Sequence, residues 1–406
     1  MNKKRLIMCL IFMALVVASL AAGVQAEESI KLAVMEPLSG TFKDIGDRYL
    51  EGVQYAAEVI NAKGGINGQK LEVIAVDSEL KPAVATAKAT KLILTENVKH
   101  FCGGTGSSVA GALEALSQKH SLLFYTYGME AASLTGEKCS PNFFRVCSST
   151  DTHSAAIAKW VAEKGFKKVA CIAQDYSFGK EATDAFIKKL KEFNPDAQIV
   201  TQIMHPLGSK DFAPYISQII NSGADVVFTS NWGSDLTLLL KQAKPLGLKT
   251  KFACYFLNDE NAMTELGNDD SVVLGSLAAE VYMVSIPGAA NQEFVEGYKK
   301  AKGHYPTWLR GKAAMATFMW AEAVKKAGSS DVDAVRKAWE GLTYEGPAGT
   351  WTMRACDHQV SQPIWTAEMV SKNPFFKHAF VGPATMVPAA EVDVPCDKTG
   401  CPGFAK

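Results

Sequence analysis

The stretch EVINAKGGINGQKLEVIAVDSE, Glu58 to Glu79, decides how this chain is read. Leu50, Val53, Ala57 and Ile60, leading into it, recur at spacings of three and four, which lays one apolar stripe along a helix. Gly64-Gly65 stops that helix, because glycine accepts the left-handed backbone of a helix C-terminus. Asn67-Gly68 then turns the chain into QKLEVIAVDSE, a strand. A helix handed to a strand within a few residues is half of a β-α-β unit.

The same unit recurs on both sides. SIKLAVMEP reads as a strand and LSGTFKDIG as the loop that enters the helix. ATAKATKLILTEN is a helix, VKHFCGG a strand, GTGSSVAGALEALSQKH a loop entering a helix, and SLLFYTYG a strand. A second series starts near residue 151, with DTHSAAIAKWVAEKGF, KKVACIAQ, DYSFG and KEATDAFIKKLKEF, and runs through ADVVFTSNWG to KTKFACYF. Continuous apolar strands alternating with helices predict parallel sheets covered on both faces. Two series predict an α/β protein with two doubly wound parallel-sheet lobes. In such folds ligands sit outside the carboxyl ends of the strands. Gly64 to Gly68 lie at the other edge and are architecture. Candidate functional loops are 38–46, 103–108, 126–130, 174–179, 230–234 and 255–260. Further on, NQEFVEGYKKAKGHYP, WLRGKAAMATFMWAEAVKKAG and SDVDAVRKAWEGL read as helices, and TYEGPAGTWTMRACDHQVSQPIWTAEMV as a pair of strands. The tail after Lys377 is rich in Pro and Val and is expected to wrap a surface or be loosely ordered.

The N-terminus is a separate object. Lys3, Lys4 and Arg5 precede an apolar run from Leu6 to Leu20, and Val24-Gln25-Ala26 offers small residues for cleavage. This predicts a secretory signal peptide over 1–26, cut after Ala26. Its removal leaves 39 basic and 42 acidic side chains, a net of −3. No basic excess points to nucleic acid. No later run of 18 apolar residues predicts a membrane span.

Eight of the nine cysteines lie after residue 26, and export permits disulfides. Cys396 and Cys401, around a short turn, are the expected first pair, and Cys139 with Cys147 the second. Cys171 and Cys254 sit in apolar strands, where a buried free thiol is expected. There is no CxxC, and the seven histidines lack metal-ligand spacing, so neither a metal nor a cofactor is expected. Walker, G-x-G-x-x-G and G-x-S-x-G patterns are missing too, which argues against nucleotide chemistry and a nucleophile elbow. No nucleophile and base are paired in sequence, and the chain reads as a binder rather than an enzyme. Ser107 and Ser108 arrive at a helix start from a strand, where free N–H groups favour an anion or a carbonyl oxygen. The loops are rich in aromatics: Tyr125, Tyr127, Tyr176, Phe178, Trp232, Tyr255 and Phe256. Several on one edge would line a mostly apolar pocket with polar tips.

MEPLSGTFKDIGDRYLEGVQYAAEVINAKGGINGQKLEVIAVDSE, FCGGTGSSVAGALEALSQKHSLLFYTYG, KKVACIAQDYSFGKE and ADVVFTSNWGSDLTLLLKQAKPLGLK together resemble the Leu/Ile/Val-binding type of periplasmic solute-binding protein. The resemblance covers nearly all of residues 28–372. It implies two lobes joined by three hinge crossovers near 148–151, 275–283 and 345–350. Residues 27–150 and 281–347 would form lobe 1, residues 151–280 and 348–376 lobe 2, and 377–406 a tail. It implies a periplasmic monomer that closes on its ligand and docks on an ABC permease driven by a cytoplasmic ATPase. Use of the same clamp as the input to a receptor is the alternative. On the resemblance, Ser107 holds the ligand carboxylate with Ser108 beside it, and Tyr127, Gly128 and Met129 finish that contact. Met129 stands where amino-acid binders commonly carry Thr. Ile45 takes a lobe 1 position often aromatic, and Phe178 and Trp232 take second-lobe positions that commonly carry Tyr, with Tyr176 close by. Phe256 falls where amino-acid binders place a Glu for the ammonium group, and Asp259 is its candidate substitute. Family frequency puts a branched-chain amino acid first among ligands, ahead of amides and aromatic carboxylates.

Overall fold

A computed structural model describes residues 29–404, with the side chains of 268 and 269 set aside. The signal-peptide reading of 1–26 lies outside the described residues. The first lobe is built from β1 (Ile30–Glu36), α1 (Lys43–Ala62), β2 (Leu71–Asp77), α2 (Pro82–Glu96), β3 (His100–Gly103), α3 (Ser107–His120), β4 (Leu123–Thr126) and β5 (Phe143–Arg145). Its five strands are parallel in the order β2-β1-β3-β4-β5. The opening stretch behaves as read. Gly64, Gly65, Asn67 and Gly68 all take positive φ, and an Ile66–Gln69 bridge closes the turn between α1 and β2.

The second lobe holds α4 (Thr150–Glu163), β6 (Lys168–Gln174), α5 (Ser177–Phe193), β7 (Gln198–His205), α6 (Ala213–Ser222), β8 (Val226–Thr229), α7 (Gly233–Ala243), β9 (Lys251–Cys254), α8 (Glu260–Leu266) and β10 (Leu277–Glu280). β7-β6-β8-β9-β10 are parallel. The chain then returns to the first lobe with α9 (Ala289–Lys302), α10 (Trp308–Ala327) and α11 (Val332–Trp339), and α10 packs along α1. β11 (Thr343–Gly346), β12 (Gly349–Met353) and β13 (Val360–Ser361) form a small antiparallel sheet on the way back. β14 (Ile364–Val370) joins β10 antiparallel, so the second sheet is mixed at this edge. Residues 281–288 connect β10, a strand of the second sheet, to α9.

Over its described residues, 377–404, the tail does more than wrap. β15 (Phe380–Val381) and β16 (Thr385–Val387) both pair with β14, and α12 (Ala389–Val392) packs on α4. Both expected disulfides are corrected. Cys401 pairs with Cys139 and Cys396 with Cys356, while Cys147 is a buried free thiol. The physical reason is that the tail leaves the second lobe and runs back to the first, which brings together cysteines 262 residues apart. Cys147, just after β5, has no exposed surface. Cys171 and Cys254 are buried free thiols as expected. Replacing Cys401 with Ser should lower stability by about 2–5 kcal/mol, since it opens a very long loop. Calorimetry of the Cys401→Ser protein should show a melting point several degrees lower, and an unchanged midpoint would mean the strap adds nothing. No helix among the described residues is long and apolar enough to cross a membrane.

Candidate functional site

The carboxyl ends of β1, β3 and β4 face those of β6, β8 and β9, and a cleft lies between them. From the first lobe it is lined by Ile45 and Tyr49 of α1, by Gly104 to Ser107 after β3, by Gly128 after β4 and by Trp308 at the start of α10. From the second it is lined by Tyr176 and Phe178 after β6, Trp232 after β8 and Phe256 after β9. The lobes touch across it: the Phe42 and Trp232 rings are 4.7 Å apart. The Trp232 indole N–H donates to the Tyr176 hydroxyl at 3.0 Å, and the Phe256 and Trp308 rings stack at 4.7 Å.

The structure therefore brings Ser107, Gly128, Tyr176, Phe178, Trp232, Phe256 and Ile45 together on the cleft wall. Four other sequence candidates are not on it. Ser108 is solvent-exposed on α3. Met129 is buried in the lobe 1 core among Phe101, Phe124 and Leu134. Tyr127 is fully buried, and its hydroxyl donates to Glu36 Oε1 at 2.7 Å. Asp259 caps α8, accepting from the amides of Asn261 and Ala262, and pairs with Arg48 at 2.9 Å. Its Oδ2 also takes the Trp308 indole N–H at 3.2 Å. An acid already holding a guanidinium and an indole is not free to receive a ligand ammonium.

Tyr49, Thr105, Trp308 and Glu36 went unread in the sequence. Tyr49 had a signal: it lies one helical turn after Ile45 on the same face. Trp308 had none, because only the packing of α10 on α1 carries it there. Glu36 ends β1 fully buried, where it accepts from the Gly104 amide at 2.6 Å as well as from Tyr127, and contacts the Thr105 hydroxyl at 2.5 Å. Burial pushes its carboxyl up to about 8, although the bonds from Thr105, Tyr127 and Gly104 and the charge of Lys312 oppose this. The folded state thus binds an extra proton between the usual 4.5 and about 8. Stability should fall as pH rises through that window. Urea titrations at pH 5 and pH 8 should show a larger loss for the native protein than for Glu36→Gln. Equal losses would remove Glu36 from the account.

Two buried charge networks border the cleft. In the first, Arg48 and Arg310 meet Asp259 and Glu260 across the lobes. Burial would raise the Glu260 carboxyl, but the two guanidinium groups hold it down to about 2. In the second, Glu130, His153, Glu280 and Lys312 are all fully buried. Lys312 Nζ lies 2.8 Å from Glu280 and 3.4 Å from Glu130, and His153 Nδ1 lies 2.9 Å from Glu130. Glu130, His153 and Glu280 are close enough to hold a metal ion. The Lys312 ammonium already supplies the positive charge that such a group of carboxylates requires.

Two doubly wound lobes closing on an aromatic-lined cleft have the architecture of a solute receptor. The chain belongs to the periplasmic binding protein family, whose sequence model matches residues 29–374. It is 31% identical over 366 residues to Leu/Ile/Val-binding protein homolog 4 of Brucella abortus (strain 2308), covering 87% of this chain and 86% of that protein. It is 27% identical to the leucine-, isoleucine-, valine-, threonine-, and alanine-binding protein of Pseudomonas aeruginosa, over 84% of this chain and 89% of that one. The closed crystal structure of the Brucella ovis protein of the latter name superposes with a TM-score of 0.82 at 28% identity, over 91% of this chain and 97% of that chain. A solute-binding protein of an ABC transporter from R. palustris, in complex with benzoate, shares the fold at a TM-score of 0.81 and 20% identity, over 92% of this chain and 100% of that one. By its family this chain is a periplasmic solute-binding protein. Family membership implies a periplasmic location and a small-molecule ligand.

Proposed function

We propose that the cleft closes on a small carboxylate with an aromatic or bulky apolar body and no ammonium group. One observation carries this reading: six aromatic side chains line the cleft and no Asp or Glu does. An ammonium buried there without an anion would be destabilised by several kcal/mol. A carboxylate meets a better environment. The first N–H groups of α3, at Ser107 and its neighbour, have no intrahelical partner and sit at the positive end of a helix. Tyr49, Tyr176, Phe178, Trp232, Phe256 and Trp308 then supply faces and edges for the body, each ring contact being worth about 1 kcal/mol. Contacts from both lobes favour the closed form, which a permease can recognise. The loaded receptor acts as a monomer, exported after cleavage following Ala26.

A second reading, a branched-chain amino acid, is favoured by the names of the Brucella and Pseudomonas relatives. The two are separated by melting the refolded chain, residues 27–406, against benzoate, 4-hydroxybenzoate, aryl-keto acids, leucine, isoleucine, valine, short amides and urea. A ligand at 1,000 times its Kd stabilises by about 4 kcal/mol and raises the midpoint by several degrees. The expected result is a shift with apolar and aromatic carboxylates. A shift with leucine, isoleucine and valine alone would establish the second reading instead.

A further inference from the structure

We propose that Lys312 is the residue that sets this cleft against ligands bearing an ammonium group, an inference that rests on the ligand reading just given. Lys312 stands one turn into α10, fully buried, and its Nζ lies 4.7 Å from the Trp308 ring, 5.5 Å from Phe256 and 5.9 Å from Tyr49. All three rings line the cleft. The protein thus keeps an ammonium of its own against the aromatic wall, satisfied by Glu280 from the end of β10 and Glu130 from the loop after β4.

The groups around that ammonium complete the argument. His153 of α4 faces Glu130 through Nδ1 and holds the Ala279 carbonyl through Nε2 at 2.8 Å. Burial would raise the Glu130 carboxyl, but His153 and Lys312 outweigh it and hold it below its ordinary value. Burial raises Glu280, with Lys312 opposing. On the other flank, Asp259 and Glu260 are held by Arg48 and Arg310. Every acid bordering this side of the cleft therefore has an internal cation, and the one whose ammonium abuts the lining rings is Lys312. A ligand ammonium would approach that wall from the front while a resident one sits behind it, and charge is felt strongly in a water-poor interior. Whatever the protonation of Glu280, deleting the Lys312 charge leaves the cluster one unit more negative.

The test uses matched ligand pairs that differ only in the α-ammonium group: leucine with 4-methylpentanoate, and phenylalanine with 3-phenylpropanoate. Calorimetric titration of the refolded full-length mature chain gives the ratio of affinities within each pair. A purely structural role would weaken both members alike and leave the ratio alone. The native protein should prefer the deaminated acid by at least about tenfold. Lys312→Met should cut that preference by about tenfold or invert it. Glu280→Gln, a near-isosteric change that keeps Lys312, should raise it several-fold, and decides the matter alone if Lys312→Met does not fold. A native preference for the amino acids overturns the ligand reading and this inference with it. A native preference for the acids that neither variant alters overturns the role of Lys312 and leaves the ligand reading standing.

Discussion

Gly128→Ala should weaken ligand binding by about tenfold to a hundredfold while the lobes remain folded. Gly128 follows β4 and lines the cleft. A Cβ there would overlap the Tyr49 hydroxyl and come within 2.6 Å of the Gly104 carbonyl oxygen. That oxygen is backbone and cannot rotate away. Its loop is tied down through the Gly104 amide and Thr105 to Glu36. Tyr49 is packed at 5.0 Å against Tyr127 and 6.4 Å against Trp308, so it has little room either. The strain, about 1–3 kcal/mol by analogy with overpacked cores, falls on the two loops that carry the helix-terminal N–H groups. Gly111→Ala is the contrast: it lies in α3 with nothing within 4 Å of the added carbon. That change should stabilise the helix by about 0.5–1 kcal/mol and leave binding as it was. Titration of both variants with the best ligand of the panel checks this; comparable affinities for the two would refute the close-approach argument.

The second large effect is expected from Arg48→Met. Arg48 belongs to α1 of the first lobe and is only 3% exposed, yet it bonds Asp259 and Glu260 of the second. Burial would lower its guanidinium, but Asp259, Glu260 and Asp44 more than offset this and hold it charged. Removing one member of a buried ion pair leaves the other uncompensated and commonly destabilises by 3–5 kcal/mol. Asp259 would keep the Trp308 indole and two α8 amides, and Glu260 would keep Arg310, which places the loss near about 3 kcal/mol. Because the pair bridges the lobes, the loss falls on the closed form alone, where about 3 kcal/mol is roughly a hundredfold in affinity. The open form, with both groups in water, would lose little. Arg48→Met should therefore bind about a hundred times more weakly with only a small change in the melting point of the ligand-free protein. A large drop in that melting point with binding intact would reverse the assignment.

Much of the fold was legible because it is written in local periodicity. A stripe at spacings of three and four, two glycines and an Asn-Gly turn depend on neighbours along the chain, so α1, the turn at 64–68 and β2 could be read from residues 50–79. The alternation of strands and helices placed the candidate loops at the carboxyl edge of both sheets, and seven of the eleven site candidates do line the cleft. The other four do not line it, for different reasons, and Ser108 faces solvent. Asp259 was read as available, but its partner Arg48 is 211 residues away. Met129 and Tyr127 follow a strand whose side chains alternate inward, and the turn after β4 sends both into the core.

By itself, then, the sequence determined the fold class, the edge on which the site lies and the aromatic character of its walls, since each follows from short-range pattern. Tertiary structure alone decided which charges are already paired, which cysteines meet and which helical residues, Tyr49 and Trp308, complete the cleft. Those outcomes depend on contacts between segments far apart in the chain. Burial and pairing, which determine whether an acid is free to bind or already taken, exist only once those segments have packed.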